Sequence, residues 1–302
     1  MWTLALMYSS VGVVAGLLGG LLGVGGGLVI VPMLVYCFSL QGVTDERAMH
    51  LALGTSMASI VFTSISSTWA HHRRGGIDWV VVRRASVGIL CGTFVGTCLV
   101  AQVPAQYLKT LFVVFLCYVA THMAIGRKRN PSPEGDPAAQ QLSNDKQDNG
   151  RCEQPDAPIR TSTGRKAASR SLPGPLGMIG AGGVIGLVSS WVGIGGGTLS
   201  VPFLVWHNLP FKSAIGTSAA LGFPIAVAGA IGYLYNGAGV PDRPNHSLGY
   251  VYLPALAGIA VASVAMAPVG AKIAHAISVD VLNRFFAVLL FAVAARMVFS
   301  LL

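Results

Sequence analysis

An all-α polytopic membrane fold, made of two homologous halves of four to five transmembrane segments each, is what this sequence predicts. Three observations carry the prediction. The 302-residue chain is 53% hydrophobic and only 10% charged, whereas a water-soluble domain carries about 25% charged residues. The charge it has is concentrated, with nine basic and six acidic residues between Arg127 and Arg170. That leaves eleven of the 20 basic and five of the 11 acidic residues for everything else. Finally, a set of glycine-rich motifs appears twice, in the same order, once in each half.

The apolar segments follow one another at the lengths a bilayer demands, about 20 residues per span. The first runs over residues 2–40, ahead of the first charge at Asp45, and is interrupted by Gly23-Val24-Gly25-Gly26-Gly27. It is long enough for two short or tilted helices. Further apolar segments cover 51–70, 80–103 and 107–126. Residues 127–174 are rich in Pro, Ser, Asp, Gln and Arg and nearly free of aliphatic side chains. Such a stretch buries too little apolar surface to offset its ordering entropy, and it reads as a disordered linker. The apolar pattern then restarts at 175–206, around Gly193-Ile194-Gly195-Gly196-Gly197, and continues at 213–235, 248–267 and 281–302. The expected organisation is therefore a first membrane repeat (1–126), a cytoplasmic linker (127–174) and a second membrane repeat (175–302). The N-terminus does not read as a cleaved signal, because residues 1–10 lack Lys and Arg and the apolar run continues well past it.

The restart is an internal repeat. Residues 23–32 match 193–202 without a gap, and both end in Val-Pro, at Pro32 and Pro202. Gly54-Thr55-Ser56 matches Gly216-Thr217-Ser218, and Gly96 to Phe112 lines up with Gly270 to Phe286. Charge gives the orientation. His71-His72-Arg73-Arg74 and Arg83-Arg84 flank one short loop, which the positive-inside rule places in the cytoplasm together with the linker. In the second half the equivalent loop holds only Arg243 against Asp242, and Lys272 and Arg284 flank the next loop instead. This displacement of positive charge by one loop fits halves that are inverted relative to each other, with each glycine-broken segment forming a helical hairpin. The alternative is four simple spans per half in parallel orientation.

Two patterns point to chemistry. A glycine triplet within a membrane helix costs about 1 kcal/mol per Gly relative to Ala. Broken backbone survives at membrane depth only where it is buried in protein or lines a cavity. Amides freed at a helix N-terminus attract anions, and transporters place substrates at discontinuous helices in matching positions of their repeats. Gly25, Gly26, Gly27, Gly195, Gly196 and Gly197 are thus candidate substrate-binding residues, with close helix packing through small residues as the alternative. The hydroxyls of Thr55, Ser56, Thr217 and Ser218 join them. Beyond Thr55, Ser56, Ser59, Thr63 and Ser66 share one helix face by their spacing. That face either lines a path or bonds to its own helix and a neighbour.

Other features have plainer readings. His71, His72, Arg73, Arg74, Asp78, Asp242, Arg243, Asp280 and Arg284 lie at segment ends and read as interfacial anchors. His122 sits within an apolar segment but only five residues from Arg127, close enough to snorkel. Cys37, Cys91, Cys98, Cys117 and Cys152 form no CxxC pair, so neither metal nor disulfide framework is expected. Walker, HExxH and nucleophile-elbow patterns do not occur, so no enzyme activity, cofactor or metal is expected. The net charge of +9 reflects cytoplasmic loops and not a nucleic-acid-binding face.

The two glycine motifs, the two Gly-Thr-Ser triplets and the loop from His71 through Gly75-Gly76-Ile77-Asp78-Trp79 resemble the sulfite exporter TauE/SafE family of membrane proteins. The resemblance covers both hydrophobic halves and excludes the linker. In the second half Gly249-Tyr250-Val251-Tyr252 stands where the first has Ile77-Asp78-Trp79. The resemblance implies secondary transport, chiefly export, of a small anionic substrate such as sulfite or an organosulfonate across the bacterial inner membrane. Protons are the candidate coupling ion, and the partners implied are the anion and the lipid bilayer. Two other readings are a passive anion channel and a non-transporting scaffold or sensor acting through its linker.

Overall fold

In the computed structural model, residues 2–22, 25–124, 173–240, 244–276 and 279–299 are described. Residues 127–172 of the expected linker lie outside this set, as do Gly23, Val24, Asp242, Arg243 and the side chains of His122, Asp280 and Arg284.

Among the described residues each half supplies five helices. The first contributes α1 (Trp2–Leu22), α2 (Gly27–Leu40), α3 (Asp45–His72), α4 (Trp79–Val100) and α5 (Ala105–Ala124). The second contributes α6 (Pro175–Val192), α7 (Gly197–Trp206), α8 (Phe211–Gly237), α9 (Leu253–Ala276) and α10 (Val279–Phe299). Five of them, α3, α4, α6, α8 and α9, are long and apolar enough to cross a membrane. The glycine motifs do break the first segment of each half into two helices. The second member is short, 14 residues in α2 and 10 in α7. At 1.5 Å per residue these extend about 21 and 15 Å, less than the roughly 30 Å hydrocarbon layer.

Two boundaries differ from expectation. Helix α3 begins at Asp45, six residues before the predicted apolar start at Leu51, so 28 residues make one rod of about 42 Å. Leu248 is not helical. It pairs with Val251, and Ser247 with Tyr252, in a two-stranded antiparallel ribbon (β1, Ser247–Leu248; β2, Val251–Tyr252) that precedes α9. The turn between the strands is made by Gly249 at φ 55°, and its neighbour Tyr250 donates its N–H to the Tyr233 carbonyl at 3.2 Å.

The helices pair across the halves, in a pattern that survives their exchange. Helix α1 packs on α9, and α6 on α4; α9 packs on α3, and α4 on α8. Helices α3 and α8 face one another, as do α5 and α10. Small residues at four-residue intervals make the closest of these approaches. Gly12, Gly16 and Gly20 of α1 lie against the α9 backbone at Ile259, Ser263 and Ala267. Gly182 and Gly186 of α6 meet the α4 backbone at Ala85 and Ile89. Without a hydrophobic drive between helices in lipid, dispersion at such contacts carries the association. The centre belongs to α3 and α8, whose most apolar windows are 83% and 78% buried, against 33–44% in α4, α6 and α9.

Candidate functional site

The two glycine breaks meet. At the first, Gly25 and Gly26 take left-handed φ values of 73° and 78°, and the chain folds back so that Gly26 seats against the Ala15 carbonyl. At the second, Gly193 and Gly196 have φ 69° and 75°. Gly27 abuts Gly193 and Ile194, and the Gly195 carbonyl lies against Gly222 of α8.

Each break exposes a helix N-terminus without a side-chain cap. In α2 the first turn closes with the amides of Val29 and Ile30 donating to the Gly26 carbonyl at 3.0 and 3.1 Å. In α7 the amides of Leu199 and Ser200 do the same to Gly196 at 3.1 and 2.8 Å. The amides of Gly27, Leu28, Gly197 and Thr198 are consequently left without an intrahelical acceptor. Neither first turn contains an acidic residue, so the positive end of each helix dipole is not offset from within. Pro32 and Pro202 lie inside α2 and α7 and give no N–H to the carbonyls of Leu28 and Thr198.

The Gly-Thr-Ser triplets are docking points between the halves. Gly54 sits against the Tyr250 carbonyl, and the Thr55 hydroxyl accepts the Tyr252 N–H at 3.0 Å. In the matching place, Gly216 sits against the Gly76 carbonyl and the Thr217 hydroxyl accepts the Asp78 N–H at 3.0 Å. Ser56 donates to the Gly193 carbonyl at 2.9 Å, tying α3 directly to the second break. Thr55, Ser56, Thr217 and Ser218 are all fully buried. The structure thus brings the glycines of the two breaks and Ser56 together, whereas Thr55 and Thr217 lie toward opposite ends of the α3–α8 pair, Gly54 beside Tyr233 and Gly216 beside His71.

The hydroxyl face of α3 resolves in favour of bonding. Ser59 and Thr63 donate to the carbonyls one turn earlier, Thr55 and Ser59. Thr63 also meets Ser263 of α9 at 2.7 Å, and Ser66 donates to the Val264 carbonyl. The open positions are on another face. Gly25, Ser64, Ser67, Ala219 and Gly222 line a seam between α3 and α8, beside the first break and too narrow for a water molecule. Ser64 donates to the Val61 carbonyl, while the buried Ser67 Oγ has no partner among the described residues. The same holds for Ser189 Oγ, which lies beside Gly196, and for Thr198 Oγ1 and Ser200 Oγ in the first turn of α7. Ser64, Ser189 and Ser200 were not singled out by sequence. Their signal was a polar residue within an apolar helix, which does not distinguish an idle hydroxyl from a bonded one.

Two expected anchors have other roles. His71 is 2% exposed, with its Nε2 3.3 Å from the Gly20 carbonyl. Asp78 caps α4, accepting from the amides of Val80 and Val81 at 3.0 and 3.3 Å. Among the described residues no cluster of His, Cys, Asp and Glu could hold a metal ion.

Comparison with known proteins gives this arrangement its context. The model of the sulfite exporter TauE/SafE family matches residues 8–297. A protein of Haemophilus influenzae named a probable membrane transporter is 34% identical over 297 residues, covering 98% of this chain and 99% of its own length. Similarly named proteins of Methanocaldococcus jannaschii and Bacillus subtilis are each 26% identical. The first covers 89% of this chain and 85% of its own length, the second 75% and 77%. No solved structure matches the chain. Matched along nearly its whole length and built around paired broken helices, this multi-pass membrane transporter belongs to the sulfite exporter TauE/SafE family.

Proposed function

We propose that the chain exports a small sulfur oxyanion, sulfite or an organosulfonate, across the bacterial cytoplasmic membrane as a proton-linked secondary carrier. The observation that carries this reading is the meeting of two uncapped helix N-termini at the centre of the molecule, beside a seam that contains an idle buried hydroxyl. Free amides at a helix N-terminus bind an oxyanion without a buried arginine. In this reading the backbone of Gly25–Gly27 and Gly195–Gly197 contacts the anion. Thr55, Ser56, Thr217 and Ser218 hold the breaks in register and line the approach. The halves form an inverted repeat, residues 127–174 lie in the cytoplasm, and rocking of one half against the other opens the seam to each side in turn. The closed seam supports a carrier over a permanently open channel.

The test is radiolabelled sulfite flux in proteoliposomes of the purified chain, with and without an imposed pH gradient. Saturable flux that responds to the gradient is the expected result. Flux that rises linearly with concentration and ignores the gradient makes the protein a channel. Absence of flux for sulfite and for a panel of organosulfonates defeats the substrate assignment.

A further inference from the structure

We infer that the two breaks are not equivalent and that the oxyanion's charged oxygens are held at the second, on the N-terminus of α7. Ser189 is the side-chain ligand there, and Ile225 is the plug over the site. This deepens the transport reading above and rests on it. The difference lies in what stands over each helix N-terminus. At the first break two backbone carbonyls fill that place, the Ala15 oxygen against Gly26 and the Gly193 oxygen against Gly27. Both carry partial negative charge. Ala15 belongs to α1, which is held against the α9 backbone at Gly12, Gly16 and Gly20, and the Gly193 oxygen also accepts the Ser56 hydroxyl. An anion approaching α2 would meet oxygens fixed in the frame.

At the second break the same place holds side chains. A Cβ on Gly196 would run into the Cδ1 of Ile225 and would lie 3.4 Å from the Ser189 Oγ. Gly196 is the N-cap of α7, so this is the point from which a capping side chain would reach the free amides of Gly197 and Thr198. Ser189 comes to that point from α6. It is 2% exposed, and its Oγ has no partner among the described residues. The next residue, Ser190, donates to the Leu187 carbonyl, so a serine on this turn can find a local acceptor. The repeat sharpens the contrast. Ser189 matches Gly19 of the first half, while Thr198 and Ser200, whose hydroxyls are also idle, match Leu28 and Ile30. The motif that carries donors in the second half carries aliphatic side chains in the first.

Room for the anion is taken by one side chain. Ile225 is fully buried, and it continues at three-residue steps the face of α8 on which Ala219 and Gly222 line the seam. Pro224 beside it gives no N–H to the Ala220 carbonyl, so α8 lacks a hydrogen bond at this level and can bend there. A bend that withdraws the Ile225 tip from Gly196 joins the seam to the N-terminus of α7. The oxyanion then accepts from the amides of Gly197 and Thr198 and from the Ser189 hydroxyl.

The experiment is binding of sulfur-35 sulfite to the full chain in detergent, with sulfite flux in proteoliposomes beside it, for the wild type, Ser189→Ala and Ile225→Val. Ser189→Ala should raise the Kd about tenfold, the worth of one hydrogen bond to a charged acceptor. Without anion its unfolding temperature should stay the same or rise, because the hydroxyl it loses holds nothing in the closed state. Ile225→Val removes the Cδ1 that covers Gly196 and should lower the Kd severalfold; it also decides the matter where Ser189→Ala fails to fold. Wild-type affinity in folded Ser189→Ala overturns the inference, as does wild-type or weaker affinity in Ile225→Val. A wild type that binds sulfite without moving it sinks the transport reading and leaves the Kd comparison to judge the site. Where the wild type does not bind sulfite, the substrate assignment falls and the site is judged by unfolding temperature in sulfate, phosphate and formate. An anion that raises it in the wild type, and raises it less in Ser189→Ala, upholds the site; the lack of any such anion overturns it.

Discussion

Single hydroxyls in this protein divide into those that hold the frame and those that hold nothing, and the two kinds make opposite predictions. Thr55 accepts the Tyr252 N–H in a fully buried setting. Thr55→Val strands that donor and should cost about 1–3 kcal/mol, read as a lower unfolding temperature in detergent, whereas Thr55→Ser should restore most of it. Thr217→Val should behave alike through Asp78. Ser67 is the reverse case. Its Oγ is buried and idle, so Ser67→Ala should leave the unfolding temperature unchanged or raise it. Sulfite flux should nonetheless fall severalfold; unchanged flux would remove Ser67 from the path. Sequence spacing did identify a hydroxyl face on α3. It could not tell which hydroxyls were committed, because their partners, Gly193, Tyr252, Ser263 and Val264, lie well over a hundred residues away and leave no trace in local periodicity.

The glycine breaks were the most legible elements, since a triplet of the residue least suited to a helix declares an interruption wherever it falls. What was hidden is that the two breaks tolerate a side chain differently. Both Gly26 and Gly196 have positive φ, which costs an L-residue about 1–2 kcal/mol. A methyl at Gly26 would also run into the Ala15 carbonyl, which is backbone, whereas at Gly196 it meets the tip of the Ile225 side chain. Gly26→Ala should therefore lower thermal stability more than Gly196→Ala, measured by the temperature at which the monodisperse peak is lost on size exclusion. The element that sequence misjudged most is the ribbon before α9. Leu248 looked like the start of an apolar span, but the left-handed Gly249 turns the chain back on itself and Tyr250 to Tyr252 serve as the docking edge for Gly54 and Thr55.

At the scale of the whole molecule three motif matches gave the expectation of a duplication, but they gave no sign of the interleaving of the halves. A hydrophobic pattern says that a helix buries a face, never against which partner. Helix α1 is covered by α9 and α6 by α4, so neither half buries its own glycine faces. Expressed alone, residues 1–126 or 175–302 should be unstable, and co-expression of the two pieces should restore a complex that co-purifies and transports. Deletion of residues 127–174 with a short flexible replacement should likewise retain flux. Loss of flux on that deletion, with the protein intact, would favour a working role for the linker.

The glycine ridge of α1 also sets a timetable for the ribosome. Its partner helix ends at Ala276, some 250 residues after α1 itself is finished, which at about 5–20 residues per second is a wait of roughly 10–50 s. Throughout that interval a flat strip of backbone at Gly12, Gly16 and Gly20 lies open to lipid and to any passing helix with a matching groove. Chains that terminate early never cover it, so a membrane protease that recognises such a strip could sort unfinished copies from finished ones without inspecting anything else.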